Sequence, residues 1–112
     1  MILEITGKDF ELEVLKSELP VFVCFTASWC RSCFPLCLEV EAIAKEYDQM
    51  VKFVRIDVEN ESGLMAKYHI LPLPAVLLFQ DSEPIKKLLG FHYKQSLKQM
   101  LNSVIASGKH SS

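Results

Sequence analysis

Residues 20–37 read PVFVCFTASWCRSCFPLC, an apolar segment that runs directly into three cysteines within eight positions. Residues 20–26 are almost continuously apolar and rich in aromatic and β-branched side chains, which predicts a central strand covered on both faces. From about residue 31 to residue 48 the apolar positions recur at helical spacing, with charged residues between them. The segment therefore predicts a buried strand followed by a long amphipathic helix, with the cysteines near the junction.

The rest of the chain alternates between strand-like and helix-like patterns. The predicted elements are strands at residues 2–5, 51–57, 75–80 and 85–91 and helices at residues 9–18, 61–68 and 94–107. Strands separated by helices pair in parallel through crossovers, whereas the last two strands flank a polar turn and pair as an antiparallel hairpin. We therefore expect an α/β fold with a central mixed sheet of about five strands flanked by four helices.

The composition is that of one globular domain. The chain has 112 residues, of which 50% are hydrophobic and 23% are charged, and this balance supports a packed core. We assign residues 1–107 to the domain and expect residues 108–112 to form a disordered tail. The lysines are scattered and the net charge is −2, so no nucleic-acid partner is expected. No membrane association is expected either, because the apolar runs are much shorter than the roughly 18 residues of a membrane span.

The first ten residues, MILEITGKDF, lack the basic segment and the following apolar segment of a secretion signal. On this basis we expect a cytoplasmic protein. Stable structural disulfides are rare in the cytoplasm, so the four cysteines indicate metal binding, redox catalysis or simple packing.

The pair Cys30 and Cys33 favours redox catalysis. Cys30 follows the buried strand at the N-terminal end of the predicted helix, where unpaired backbone N–H groups stabilise a thiolate. Arg31 adds a second positive influence beside it. Cys33 lies three residues further on, about one helical turn away, where its sulfur can reach that of Cys30. This spacing is typical of a redox-active dithiol.

Other interpretations of the cysteines exist. Zinc could use Cys30 and Cys33 with Cys37 as the third ligand and His69 as the fourth, although no second cysteine or histidine pair is present. An iron–sulfur site would need a more complete cysteine run than C-x2-C-x3-C. Cys24 and Cys37 lie within apolar patterns, where cysteine behaves as a small hydrophobic side chain. We therefore expect no metal and no bound cofactor.

Four segments together resemble the thioredoxin family. They are FTASWCRSC at residues 25–33, VRIDVEN at 54–60, KYHILPLPAVLLF at 67–79 and LLGF at 88–91. The resemblance extends from about Ile2 to Ile105 and is specific, because the cysteine motif, the proline segment and the order of elements agree. It implies the thioredoxin fold.

The resemblance also implies an activity and a set of site residues. The chain would reduce disulfides in protein substrates as a thiol–disulfide oxidoreductase, with Cys30 as the attacking thiol and Cys33 as the resolving thiol. An external disulfide reductase would recycle it, and we expect a monomer. The substrate-binding positions implied by the family pattern are Trp29, Leu73, Pro74 with a cis peptide bond, and Gly90.

The sequence departs from the family pattern around the cysteines. Arg31 and Ser32 replace the usual Gly-Pro, which suggests a somewhat less reducing dithiol. Cys24 stands where the family buries an aspartate, and Phe53 stands where its lysine partner is expected. Arg31, Ser32 and Cys24 are therefore expected to modulate the site.

Two rival functions follow from these departures. The first is a redox-inert or metal-loaded binding module with the same fold. The second is the same enzyme acting as an oxidase or isomerase. The intact Cys30, Cys33, Trp29 and Pro74 favour the reductase over the inert module, and the reduction potential would separate a reductant from an oxidant.

Overall fold

The computed structural model describes the backbone of residues 2–111 and the side chains of residues 2–105. The strands are β1 (Leu3–Ile5), β2 (Val21–Thr26), β3 (Lys52–Asp57), β4 (Ala75–Gln80) and β5 (Glu83–Leu89). The α-helices are α1 (Cys33–Ala44), α2 (Ser62–Tyr68) and α3 (Lys94–Ser111). Between β1 and β2 the chain forms a 3-10 turn, Gly7–Asp9, and a π-helical turn, Glu11–Leu15.

The five strands form one mixed sheet in the order β1-β3-β2-β4-β5. The β1–β3 and β3–β2 pairs are parallel, whereas β2–β4 and β4–β5 are antiparallel. The predicted mixed sheet with a terminal hairpin is confirmed. The run of residues 20–26 becomes the central strand, β2.

The alternating side chains of β2 contribute to two cores, one on each face of the sheet. Phe22 and Cys24 belong to the core formed with α1 and α3, which we call the α1-side core. Val23 and Phe25 belong to the opposite core, formed with α2 and the N-terminal helical turns, which we call the α2-side core. All four side chains are fully buried. Burying one such large apolar side chain contributes about 1.5–3 kcal/mol, which explains why this strand organises the fold.

The helix predicted at residues 9–18 is wrong in extent and type. The segment folds into the two short turns at Gly7–Asp9 and Glu11–Leu15 instead. Only Phe10 and Val14 are fully buried there, whereas Leu12 is 67% exposed. A single helical turn is enough to bring two residues four positions apart onto the core, so a longer helix would gain no further burial.

The two long helices also differ from their predicted ranges. Helix α1 begins at Cys33 rather than near residue 31, and it ends at Ala44 rather than residue 48. Helix α3 passes Gly108, where the sequence pattern predicts an end. Ser112 and the side chains of residues 106–111 lie outside the described residues, so the tail expected at residues 108–112 stays a prediction. Among the helices of residues 2–111, none has the length and apolar character that a membrane span requires.

Candidate active site

The strand register brings three loops to one end of the sheet. Phe25 near the end of β2 pairs with Ala75 at the start of β4, so the segment before Ala75 lies beside the segment after β2. Ala75 also pairs with Leu89 at the end of β5, and the Gly90 N–H donates to the Pro74 carbonyl at 2.7 Å. Three loops therefore meet at this end. We call them the cysteine loop (residues 27–32), the proline loop (residues 69–74) and the Gly90 loop (residues 90–93).

Cys30 and Cys33 are joined by a disulfide, with their Cα atoms 5.4 Å apart. The Cys30 N–H donates to the Ala27 carbonyl at 3.1 Å, and the Cys33 N–H donates to the Cys30 carbonyl at 3.3 Å. Cys33 is the first residue of α1 and is only 4% exposed, whereas Cys30 is half-buried in the preceding turn. The two sulfurs thus differ in access, with Cys30 on the outer side.

The residues around the disulfide include a polar anchor that sequence reasoning missed. Glu59 accepts hydrogen bonds from the Ser28 N–H at 3.0 Å and from the Ser28 hydroxyl. These bonds tie the cysteine loop to the segment after β3. No local sequence signal points to this contact, because the two residues are 31 positions apart and meet only through the β2–β3 pairing.

Two other residues of the cysteine loop face outward, and a third lies beside the Cys30 sulfur. Trp29 is 65% exposed and Arg31 is also exposed. Ser32 lies directly before α1, and its hydroxyl is 4.0 Å from the Cys30 sulfur. Ser32 is therefore placed to influence the Cys30 sulfur directly, whereas Arg31 extends toward solvent.

The proline loop contains two cis peptide bonds, Leu71–Pro72 and Leu73–Pro74. The second agrees with the resemblance, whereas the first has no counterpart in the sequence expectations. Pro74 is buried, and the half-buried Leu73 packs against the α2-side core, as does Cys30. Leu71 is 57% exposed and adds an apolar side chain to this end of the molecule.

The Gly90 loop requires glycine for its backbone conformation. Gly90 has a φ of +81°, in the left-handed region that side chains disfavour. The next residue, Phe91, packs against the α1-side core and edge-on against the Tyr93 ring, with centroids 4.9 Å apart. Phe91 is thus held by local packing, and Gly90 itself is left without a side chain at the meeting point of the loops.

A cleft of about 300 Å³ lies beside the disulfide on the α1 side of the sheet. Its lining includes Cys30, Cys33, Cys37 and Arg55. Arg55 donates from Nη1 to the Cys37 sulfur at 3.8 Å and from Nη2 to a Glu4 carboxylate oxygen at 2.7 Å. The cleft therefore contains a third sulfur and a guanidinium next to the Cys30–Cys33 pair.

The Cys24–Cys37 contact separates the acidities of these two thiols. The hydrogen bond from Cys24, followed by the hydrogen bond and charge of Arg55, lowers the pKa of Cys37 to about 6, against the opposing effect of burial. The pKa of Cys24 is raised by the hydrogen bond to Cys37, by burial and by the negative charge of Cys37. The hydrogen bonds to Glu4 and to Cys37 raise the pKa of Arg55. At neutral pH the pair therefore holds one proton, on Cys24.

Cys24 and Cys37 are buried in the α1-side core, as expected of small hydrophobic side chains, but Arg55 also donates to the Cys37 sulfur. Phe53 carries no charge, and its ring packs against the Phe22 ring with centroids 5.1 Å apart. The cation comes instead from Arg55, which is in register with Cys24 on the neighbouring strand. Both cysteines are buried as expected, but they form an ionisable pair.

The structure does not bring together the four residues of the alternative zinc site, which are Cys30, Cys33, Cys37 and His69. Cys37 packs in the α1-side core, and the Arg55 guanidinium donates to its sulfur. The positive charge of Arg55 opposes binding of a cation at this sulfur. His69 follows α2, which packs on the other face of the sheet. Within the part of the chain that the structure describes, no group of three or more histidine, cysteine or acidic side chains is arranged to hold a metal ion.

Comparisons with known proteins agree on one family. The family model described as Thioredoxin matches residues 1–103. The chain is 38% identical to "Thioredoxin" of Rickettsia bellii over 94% of its own length and 100% of the relative. It is 33% identical to "Thioredoxin" of Porphyra purpurea, over 92% of the chain and 96% of the relative. It is also 33% identical to "Thioredoxin C-2" of Corynebacterium nephridii, over 93% and 96% respectively.

Proposed function

Because the chain belongs to the thioredoxin family, whose members are protein-disulfide oxidoreductases, we propose that it reduces disulfide bonds of other proteins through Cys30 and Cys33. The observation that carries the proposal is the unequal access of the two sulfurs. Cys30 is half-buried at the outer side of the loop, whereas Cys33 is 4% exposed at the start of α1. A bulky protein substrate can approach only the outer sulfur.

The reaction begins with the reduced dithiol. The Cys30 thiolate attacks one sulfur of the substrate disulfide, an S–S bond forms between enzyme and substrate, and the other substrate sulfur leaves as a thiolate that takes up a proton. The Cys33 thiolate then attacks the Cys30 sulfur and releases the second substrate thiol. Two electrons have moved to the substrate, and the enzyme carries the Cys30–Cys33 disulfide.

Substrate binding is assigned to the three loops at this end of the sheet. The backbone of Leu73, before the cis Pro74, pairs with an extended substrate segment as an added strand. Gly90 leaves room for that segment because it has no side chain. The exposed rings and aliphatic side chains of Trp29 and Leu71 favour substrates with apolar residues beside the disulfide.

The remaining features of the proposal concern partners and setting. An external disulfide reductase returns the dithiol to its reduced form. The protein acts as a monomer in the cytoplasm. Arg31 and Ser32 modulate the reduction potential of the pair, and equilibration with glutathione buffers of known ratio distinguishes a reductase from an oxidase.

The test of the role assignment uses two single variants and one double variant. Cys33→Ser should accumulate a mixed disulfide with insulin, because Cys30 still attacks but no thiol resolves the complex. Cys30→Ser should lose insulin reduction. The matched control is Cys30→Ser with Cys33→Ser, which should capture no insulin. Normal release of substrate by Cys33→Ser would contradict the assignment of Cys33 as the resolving thiol.

A further inference from the structure

The reduction mechanism uses two of the four cysteines, and the other two form a second pair behind the first. Cys24 on β2 and Cys37 on α1 share the α1-side core, and Arg55, which is in register with Cys24, donates to the Cys37 sulfur at 3.8 Å. Cys24 is 1% exposed and Cys37 is 8% exposed. Only Cys37 lines the cleft that also contains Cys30 and Cys33. The second pair thus has one sulfur that a small molecule can reach and one that it cannot.

The charges around Cys37 favour its ionised form. The groups that face it or its neighbours are Cys24 from β2, Arg55 from β3, Glu4 from β1 through Arg55, Glu41 on α1, and Cys33 and Asp57 in the cleft. The Cys24 hydrogen bond and Arg55 outweigh burial and Glu41, so the pKa of Cys37 falls to about 6. Cys37 is therefore a thiolate at neutral pH, and the thiolate is the reactive form of cysteine.

We propose that Cys24 and Cys37 form a second redox site, in which Cys37 reacts with a small hydroperoxide and Cys24 then closes a Cys24–Cys37 disulfide. The placement of both thiols in the α1-side core, on either side of Arg55, carries the inference, together with the access of Cys37 to the cleft. The site is independent of the protein-disulfide reduction proposed for Cys30 and Cys33.

In the first step, the Cys37 thiolate attacks one oxygen of the hydroperoxide and the O–O bond breaks. Cys37 becomes a sulfenic acid, and the rest of the peroxide leaves as an alkoxide or hydroxide that takes up a proton from water. The sulfur has lost two electrons to the peroxide. A hydroperoxide fits this step because it is small enough to enter the cleft, whereas a protein disulfide cannot reach a sulfur that is 8% exposed.

In the second step, the Cys24 sulfur attacks the Cys37 sulfur and the S–O bond breaks. The proton of Cys24 leaves with the hydroxide as water, and the S–S bond forms. Conversion of Cys37 to a neutral sulfenic acid removes both the hydrogen bond to the thiolate and the negative charge that raise the pKa of Cys24. The charge of Arg55 still favours the Cys24 thiolate, so the first step prepares the second.

The experiment uses the 112-residue chain with Cys30→Ser and Cys33→Ser, in which Cys24 and Cys37 are the two remaining cysteines. Trypsin cleaves after Lys16, Arg31 and Lys45, so the two sulfurs fall on separate peptides, residues 17–31 and 32–45. After treatment with hydrogen peroxide at pH 7 we expect the two peptides to be linked, and the link to disappear on reduction. Unlinked peptides with unmodified cysteines, or with Cys37 oxidised to the sulfinic acid, would overturn the proposal.

Two further variants in the same background separate the steps. Adding Cys24→Ser, which keeps a hydroxyl donor toward Cys37 but cannot form a disulfide, should leave Cys37 as a sulfenic acid that dimedone traps, and absence of that adduct would contradict the first step. Adding Arg55→Gln should lower the rate of Cys37 oxidation at pH 7 about two- to tenfold. The pH at which this rate increases should also shift to a higher value. An unchanged pH profile would remove the role of Arg55. Circular dichroism confirms that each variant is folded before it is compared.

Discussion

At the scale of single residues, Arg55 connects β1, β3 and α1. Its guanidinium donates to Glu4 and to Cys37, and its backbone pairs with Cys24 on β2. A carboxylate on the outer side holds the guanidinium in place while the inner side faces a sulfur. The half-buried arginine thus brings positive charge to the α1-side core without being enclosed by it, which avoids the desolvation cost of a fully buried cation.

The first prediction concerns how the free energy of unfolding depends on pH in the oxidised protein, which carries the Cys30–Cys33 disulfide. The pKa of Cys37 is about 6 in the folded protein and returns toward its usual value, 9.0, on unfolding. Between these values the unfolded chain binds more protons than the folded protein, so the free energy of unfolding should rise with pH through this window. The stabilising contribution of Cys37 is lost as pH falls through about 6. Urea midpoints at pH 6 and pH 8 measure the rise.

Cys37→Ala is the matched variant for this measurement. The alanine costs some packing at every pH, so only the difference between the two pH values is compared. We expect a smaller rise in Cys37→Ala than in the natural sequence. Equal rises in the two proteins would mean that Cys37 is not ionised near neutral pH.

The state of Cys37 is one feature of the site that the sequence does not predict. Cys30 and Cys33 can be assigned from their spacing and their position after a buried strand. Cys37 lies in an apolar helical pattern, and its pKa is lowered by Cys24 on another element and by Arg55, which is 18 positions away. Their contact depends on the β2–β3 register, and a shift of that register by one residue would turn Arg55 to the other face of the sheet.

At the scale of secondary structure, prediction succeeds where burial is extensive. Strand β2 and helix α1 each bury several large side chains, so their patterns are long and regular. The Gly7–Asp9 and Glu11–Leu15 turns bury few, and the first of them is tied by a hydrogen bond from the Gly7 N–H to Glu61, 54 positions away. Short amphipathic segments of this kind carry too little periodic information to specify the type of helix.

The second prediction compares two glycines in different backbone conformations. Gly63 lies in α2 with open space around the position of an added Cβ. Gly63→Ala should therefore raise the free energy of unfolding by about 0.4–1 kcal/mol, because the unfolded chain loses conformational freedom. Gly90 has a φ of +81°, so Gly90→Ala should lower it by about 1–2 kcal/mol despite the open space. Urea unfolding of both variants tests the pair, and equal effects would contradict it.

At the scale of the whole molecule, the central position of β2 unites the site. Strand β2 pairs with β3 on one side and β4 on the other, so its end lies beside both the Asp57 end of the cleft and the proline loop. The α1 side of this region holds the second thiol pair, and the loops themselves expose apolar side chains. The sequence predicts which elements form the sheet, but the meeting of these loops depends on strand order and register.

The last prediction tests the apolar surface proposed for substrate binding. Leu71 is 57% exposed on the proline loop, and burial of such a side chain by a substrate contributes about 1 kcal/mol. Leu71→Asn should therefore raise the KM for insulin about threefold to tenfold, whereas the reduction of hydroxyethyl disulfide should stay unchanged because that substrate is too small to cover Leu71. Leu12→Asn is the matched control, since Leu12 is 67% exposed on the π-helical turn, away from the three loops. If both variants gave the same KM for insulin, Leu71 would have no part in binding the substrate.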